Sequence, residues 1–281
     1  MEQIVRVNGV DLCVETFGEP GDPAILLIAG AMGSMLSWED EFCERLAAGG
    51  RLVVRYDQRD TGRSVTYEPG APKYTGPDLV ADAVGILDAL GVDLAHVVAI
   101  SMGGGVAQFL ALDYPDRVAS LTLISTSPSG SDDDLPGMAD TLRAHFAEPP
   151  PEPDWSDRAA VIEYLVEDAR PYASTSQPFD DAPWRELAGR DFDRSINLAS
   201  STNHFLAEGG GRWRERLGEV RAPTLVLHGT EDPLFPIEHG VALAREIPGA
   251  DLVALEQTGH ELPRRVWGIV VPAILAHTSG A

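Results

Sequence analysis

The sequence predicts an α/β protein: an open, mostly parallel sheet of eight strands flanked by helices, with a helical segment inserted between two central strands. Three observations carry this. Short apolar, β-branched runs alternate with stretches of helical periodicity, at spacings that suit right-handed crossovers. That alternation stops between about Ser127 and Arg221 and then resumes. Before that break, an apolar, β-branched run in the stretch beginning at Leu94 stops at Ser101 and is followed by Gly103-Gly-Gly105, where the apolar period switches from that of a strand to that of a helix.

In chain order, Gln3 to Val7 and Asp11 to Phe17 read as two alternating strands joined by Asn8-Gly9, a strong hairpin signal. Ala24 to Ile28 is continuously apolar, as in a strand buried on both faces. A flexible loop, Ala29 to Ser34, leads to a helix from about Glu39 to Ala48, and Arg51 to Tyr56 is the next strand. Gly76-Pro-Asp78 opens a helix with a carboxylate in its first turn, where it complements the dipole; Leu79, Ala83, Ile86, Leu87 and Leu90 form the apolar stripe, and Gly91 ends it. The helix after Ser101 closes at Tyr114-Pro115, and Ser120 to Ile124 is a short apolar strand. After the insertion come a strand at Thr224 to His228, a helix near His239 to Ile247, a strand at Leu252 to Leu255 and a last amphipathic helix from about Leu262 to Leu275. The expected organisation is a core of residues 1–127 and 222–281 with a helical cap over 128–221. The cap carries acidic helical patches, a break at Pro149-Pro-Pro-Glu-Pro153 and the run Gly209-Gly-Gly211, and fits a lid better than an independent domain.

A chain of 281 residues, 44% apolar, can bury a sizeable core. Its formal charge of −23 repels phosphate backbones and anionic lipid, so no nucleic acid or membrane partner is expected, and the plainest use of the acidity is solubility. Cys13 and Cys43 are too few for a disulfide scaffold and lack metal-site spacing; inert reduced thiols are expected. Without a signal-like start or an apolar run long enough to span a bilayer, the expected compartment is the cytoplasm.

The reactive groups of an open parallel sheet gather at the carboxyl ends of its strands. Asp232 falls in the loop after the strand Thr224 to His228, and His260 in the loop after Leu252 to Leu255. Ser101 sits at a strand-to-helix turn, a near match to G-x-S-x-G with Ala99 in the first position and Gly103 in the last. A serine hydroxyl needs a base to take its proton as it attacks a carbonyl; His260 suits that role, with Asp232 fixing the imidazole. A tetrahedral oxyanion needs two donors: the N–H of Met102, next to the nucleophile, and that of Ala31 in the loop after the first central strand. Met32 and Met35 on that loop are expected to face the substrate, a small and largely apolar ester.

The whole chain resembles the α/β-hydrolases, through Arg55 to Ser64, Ala99-Ile-Ser-Met-Gly-Gly104, Gly229-Thr-Glu-Asp-Pro233 and Thr258-Gly-His260. Within them it is similar to the methylesterases of anthracycline biosynthesis, of the aclacinomycin methylesterase type. The similarity runs through Asp40-Glu-Phe42, Tyr56 to Ser64, Ala81 to Val84, Leu87-Asp88, Gly91-Val-Asp93, Ala95 to Val98, Gly259 to Pro263 and Ile274 to Thr278. The resemblance implies Ser101, Asp232 and His260 as the triad, Ala31 and Met102 as oxyanion donors, and hydrolysis of a methyl ester on a polycyclic aromatic. It implies no cofactor and no metal.

Plainer readings compete with each of these. Asp232 could merely form the turn before Pro233, and Glu231 is its nearest rival as the acid. His96, His145, His204, His239 and His277 read as solvated or helix-surface residues, and His228 as a packed strand residue. Asp57-Gln-Arg-Asp60 invites a catalytic role for its charges, but the resemblance implies a brace of the sheet edge through ion pairs and turn contacts. The insertion's aromatics, Trp155, Tyr164, Tyr172, Phe179, Trp184, Phe192 and Phe205, read mostly as its own small core. Gly103 to Gly105 lack dinucleotide spacing. Among other activities, a proline iminopeptidase expects a His-Gly-Gly-Pro-Gly loop that Ala29 to Gly33 does not match. Enol-lactonase or perhydrolase chemistry, and a ligand-sensing binding protein on the same fold, are further alternatives.

Overall fold

The computed structural model describes residues 2–128, 134–209, 211 and 213–279. Its strands are β1 (Gln3–Val7), β2 (Val10–Phe17), β3 (Ala24–Ile28), β4 (Leu52–Tyr56), β5 (Ala95–Ile100), β6 (Val118–Ile124), β7 (Thr224–Gly229) and β8 (Asp251–Leu255). They form one eight-stranded sheet in the order β1-β2-β4-β3-β5-β6-β7-β8. The first two pairings are antiparallel and the rest parallel. Asn8 and Gly9 take φ of 46° and 75°, the left-handed pair of a tight hairpin turn, so the opening hairpin forms where Asn-Gly specifies it.

The helices are α1 (Asp40–Ala48), α2 (Gly76–Ala89), α3 (Met102–Asp113), α4 (Asp140–Ala147), α5 (Arg158–Ala169), α6 (Asp181–Arg194), α7 (Glu238–Glu246) and α8 (Trp267–His277). Alternate residues of β3 explain why its apolar run is unbroken. Leu26 and Ile28 join a core with α2, α3 and α7, while Ile25 and Leu27 join a second core with α1 and α8 on the other face. At the start of α2 the Asp78 carboxylate accepts the N–H and hydroxyl of Thr75 at 2.8 and 2.9 Å, and Gly91, at φ 69°, follows its end. The last helix begins later than its apolar pattern suggests, because a 3-10 turn at Arg264–Val266 follows Pro263.

Between β6 and β7 lie α4, α5, α6 and the 3-10 segments Leu198–Phe205 and Arg214–Glu219, with the proline-rich break between α4 and α5. Gly210 of the glycine run lies outside the described residues. Cys13 and Cys43 are buried free thiols, and burial pushes both up to about 12. Among the described residues no helix is long and apolar enough to cross a membrane.

Candidate active site

Ser101 stands between β5 and α3 at φ 54° and ψ −123°, in a region that non-glycine residues avoid. Neighbouring groups hold it there. Its N–H donates to the Ile124 carbonyl at 3.0 Å, and its carbonyl accepts the Gly104 N–H at 2.8 Å and the Thr126 hydroxyl at 2.7 Å. The turn is tight enough to dictate glycine: a Cβ on Gly103 would lie 2.4 Å from the Ala29 carbonyl oxygen and 2.7 Å from that of Ile28. Ala99 is fully buried in β5 between Ile28 and Leu123, a position where a methyl group fits.

The three sequence-picked side chains meet. His260 Nε2 is 2.8 Å from Ser101 Oγ, and His260 Nδ1 is 2.8 Å from Asp232 Oδ2. A carboxylate only accepts, so the imidazole proton belongs on Nδ1, leaving Nε2 to accept from the serine hydroxyl. The other Asp232 oxygen accepts the N–H groups of Leu234 and Phe235, each at 2.9 Å. Burial opposes ionisation of Asp232, yet the bonds from the His260 imidazole and the Phe235 N–H hold its carboxyl below the usual range. His228 is fully buried, with Nε2 donating to the Phe235 carbonyl at 2.7 Å and, among the described residues, no partner for Nδ1. Burial lowers its pKa and keeps it neutral. Glu231 turns away from His260: it accepts from the Ser174 hydroxyl at 2.7 Å and the Ser176 N–H at 3.0 Å. These bonds, with the Ser176 hydroxyl foremost, hold it at about 2.

The loop after β3 faces the elbow. A Cβ on Gly30 would lie 3.3 Å from Ser101 Cβ, so the Gly30–Ala31 peptide passes beside the serine. Among the described residues no protein acceptor takes the N–H of Ala31 or of Met102, the latter being the first residue of α3, whose amide has no intrahelical partner. The next amides are engaged. The N–H of Met32, itself at φ 62°, donates to His204 Nδ1 at 3.0 Å, and that of Met35 to Asp57 at 2.9 Å. Met32 is part-exposed beside the site. Met35, expected to face substrate, is 0% exposed, because the 3-10 turn Met35–Ser37 folds its side chain into the core. It offers a ligand no surface.

Asp57-Gln-Arg-Asp60 behaves as a brace. Asp57 binds Arg194 of α6 at 2.6 Å, Gln58 donates to the Ala29 carbonyl at 3.0 Å, and Arg59 makes a two-pronged pair with Asp82 at 2.6 and 2.8 Å. Three histidines read as solvated are in fact buried. His96 pairs with Ser120, His239 with Ser127 and the Pro136 carbonyl, and His204 with Met32 and the Arg59 carbonyl. No hydrophobic period marks a histidine that is buried against backbone carbonyls. Of the insertion's aromatics, Trp155 packs on Tyr164 and Phe179 stacks on Trp184, away from the relay. The Tyr172 and Phe235 rings lie 6.0 and 5.6 Å from the His260 ring, and the Tyr172 carbonyl accepts the His260 backbone N–H at 2.7 Å. Phe146, half-exposed on α4, packs edge-on against Tyr172. A cleft of about 450 Å³ lined by charged groups, among them Glu15, Asp40, Arg55 and Arg190, touches no member of the relay.

A mostly parallel sheet with this strand order and a strand-serine-helix elbow at its centre defines a class. The chain belongs to the α/β-hydrolase fold family, whose model matches residues 23–263. It is 35% identical to rhodomycin D methylesterase DauP of Streptomyces sp. (strain C5) and to rhodomycin D methylesterase DnrP of Streptomyces peucetius, in each case across 99% of this chain and 98% of the relative. Among solved structures, the enol-lactonase from Burkholderia xenovorans LB400 superposes with a TM-score of 0.75 over 99% of this chain and 100% of that one, at 24% identity.

Proposed function

We propose that this chain is a serine-dependent carboxylic ester hydrolase whose substrate is the methyl ester of a polycyclic aromatic compound. The observation that carries the chemistry is the unbroken relay from Ser101 Oγ through His260 to Asp232, at 2.8 Å in both steps, beside uncommitted N–H groups at Ala31 and Met102. In the first half-reaction Ser101 Oγ attacks the ester carbonyl carbon while His260 Nε2 takes the hydroxyl proton. Ala31 and Met102 donate to the resulting oxyanion, and Asp232 stabilises the imidazolium. Collapse expels methoxide, to which His260 returns the proton, giving methanol and an acyl-serine. In the second half, His260 deprotonates a water that attacks the acyl carbon, and the carboxylic acid leaves as Ser101 is re-protonated.

The methyl ester and the aromatic body are supported by the two methylesterase relatives at 35% identity over essentially the full chain. Tyr172 and Phe235 beside His260, and Met32 on the facing loop, suit an apolar ring system. Residues 128–221 form the cap of this reading, closing over the core of 1–127 and 222–281.

A fluorophosphonate probe should label the wild-type protein on Ser101 and leave Ser101→Ala unlabelled, with turnover of aryl esters lost in the same variant; labelling that survives the substitution refutes the nucleophile. Methanol release from rhodomycin D or a related methyl ester, compared with release from short-chain aliphatic esters, tests the substrate. Preference for the short esters overturns the aromatic assignment and leaves the chemistry standing.

A further inference from the structure

The oxyanion loop carries a bulky residue, Met32, at φ 62°, one position after the proposed donor Ala31. A methionine left free in that region relaxes out of it, and the relaxation would rotate the peptides on either side. One side chain opposes this. His204, in the 3-10 segment Leu198–Phe205 of the insertion and only 6% exposed, accepts the Met32 N–H on Nδ1 at 3.0 Å and faces the Arg59 carbonyl with Nε2 at 2.8 Å. A carbonyl can only accept and a backbone N–H can only donate, so both contacts are satisfied by one species, the neutral imidazole protonated on Nε2. Burial lowers the His204 pKa and favours that neutral form. The platform beneath is itself clamped. Asn203 donates to Asp60 at 3.0 Å and to the Glu68 carbonyl at 3.1 Å, and accepts the Gly70 N–H at 2.7 Å.

We infer that His204 is a positioning residue for the oxyanion hole: by holding the Met32 amide it fixes the left-handed turn that leaves the neighbouring Ala31 N–H uncommitted beside Ser101. The inference rests on the ester-hydrolase reading, and it makes the insertion a structural part of the reaction site as well as its cover. Residues that set the oxyanion loop act on the transition state, so their loss is read in kcat while ground-state binding persists.

The test uses the full chain, with kcat expressed per site titrated to completion with fluorophosphonate. His204→Phe, which fills the volume and makes neither bond, should lower kcat on an aryl ester by about 10- to 100-fold with KM within about two-fold. His204→Gln, whose amide presents an acceptor and a donor at similar separation, should recover kcat to within about three-fold of wild type. Adding Met32→Gly to the His204→Phe protein should restore part of the loss, since glycine takes a positive φ without a restraint. A His204→Phe protein with near-wild-type kcat, or a His204→Gln protein no better than it, overturns the inference. Should His204→Phe not fold, ¹⁵N spectra of the wild-type imidazole decide: an Nε2-protonated ring with a hydrogen-exchange-protected Met32 amide is expected, and an Nδ1-protonated ring refutes it. Absence of wild-type labelling by fluorophosphonate would instead strike the ester-hydrolase reading, while the spectra report on the Met32 bond independently.

Discussion

Ser101 and Met32 sit at φ 54° and 62° on loops that face each other, and they are held there by different parts of the molecule. The serine is fixed by its own sheet: Ile124 at the end of β6 and Thr126 just after it hold its backbone, and Ile28 at the end of β3 and Ala29 just after it supply the carbonyls that admit only glycine at 103. The loop proposed to hold the oxyanion is anchored by the insertion. Its anchors are His204 on the Met32 amide, Asp191 on the Ser34 hydroxyl, and Arg194 on the Asp57 carboxylate that holds Met35, at sequence separations of 172, 157 and 137 residues. The proposed nucleophile is thus positioned by the sheet, and the proposed oxyanion loop by the insertion packed against it.

The largest effects should fall on the sheet-held half. Asp232→Asn should lower kcat by about 10⁴-fold at neutral pH, because an amide cannot fix the Nδ1-protonated imidazole as the carboxylate does. Its neighbour provides the control: Glu231→Gln should stay within about three-fold, since its bonds to Ser174 and Ser176 leave the relay untouched. Steady-state turnover of an aryl ester checks both. Equal losses would remove Asp232 from the relay.

Next comes the steric limit at the elbow. Gly103→Ala drives a methyl group into two carbonyl oxygens of β3 and the loop after it, neither of which can move without the sheet. It should cost about 3 kcal/mol by urea unfolding, at the upper end of overpacking penalties, and abolish labelling of Ser101. Gly105→Ala, two residues on, meets only the Trp213 ring at 3.8 Å and lies inside α3; it should stabilise by about 0.5–1 kcal/mol through helix propensity. A Gly103→Ala protein with normal stability would mean that the elbow is looser than the oxyanion loop, reversing the contrast between them.

The same contrast governs what could be read in advance. The Ser101 elbow is contiguous, so a strand period, a serine and a glycine two residues later suffice, and Asp232 and His260 follow because strand ends are visible as the ends of apolar runs. The Asn8-Gly9 hairpin and the Asp78 cap are local in the same way. His204, Asp191 and Arg194 have no such signature. Each is a polar residue on an acidic, weakly patterned insertion, and its partner is a backbone amide, a hydroxyl or a buried carboxylate in another part of the chain. The position of His204 in the sequence suggests a surface residue, because sequence position cannot show a backbone carbonyl waiting in the fold. Met35 differs from its expected placement for a related reason: apolar and near the site in sequence, it is buried by the 3-10 turn that begins with it.

A small effect on turnover, about two- to five-fold, is expected from the way the loop is anchored from outside. Asp191 on α6, 9% exposed, accepts the Ser34 hydroxyl at 2.5 Å, and burial, opposed by that bond, raises its carboxyl from 3.8 to about 6. Between those values the native state binds a proton that the unfolded chain has released, so this group's contribution to stability falls as pH rises through the window and is lost above about 6. The full difference is about 3 kcal/mol as an order of magnitude. Asn at this position cannot ionise and its Oδ1 still accepts from Ser34. Asp191→Asn should therefore gain on wild type in urea unfolding as pH goes from 4 to 7.5, and parallel profiles would show that Asp191 is not strained by burial. At neutral pH the ionised aspartate makes the stronger, charge-assisted bond to the Ser34 hydroxyl, so the same substitution should loosen the loop and lower kcat by about two- to five-fold. A variant that is more stable yet slower would show that the insertion holds the oxyanion loop at a cost in folding free energy, through a charge that the sheet-held serine does not need.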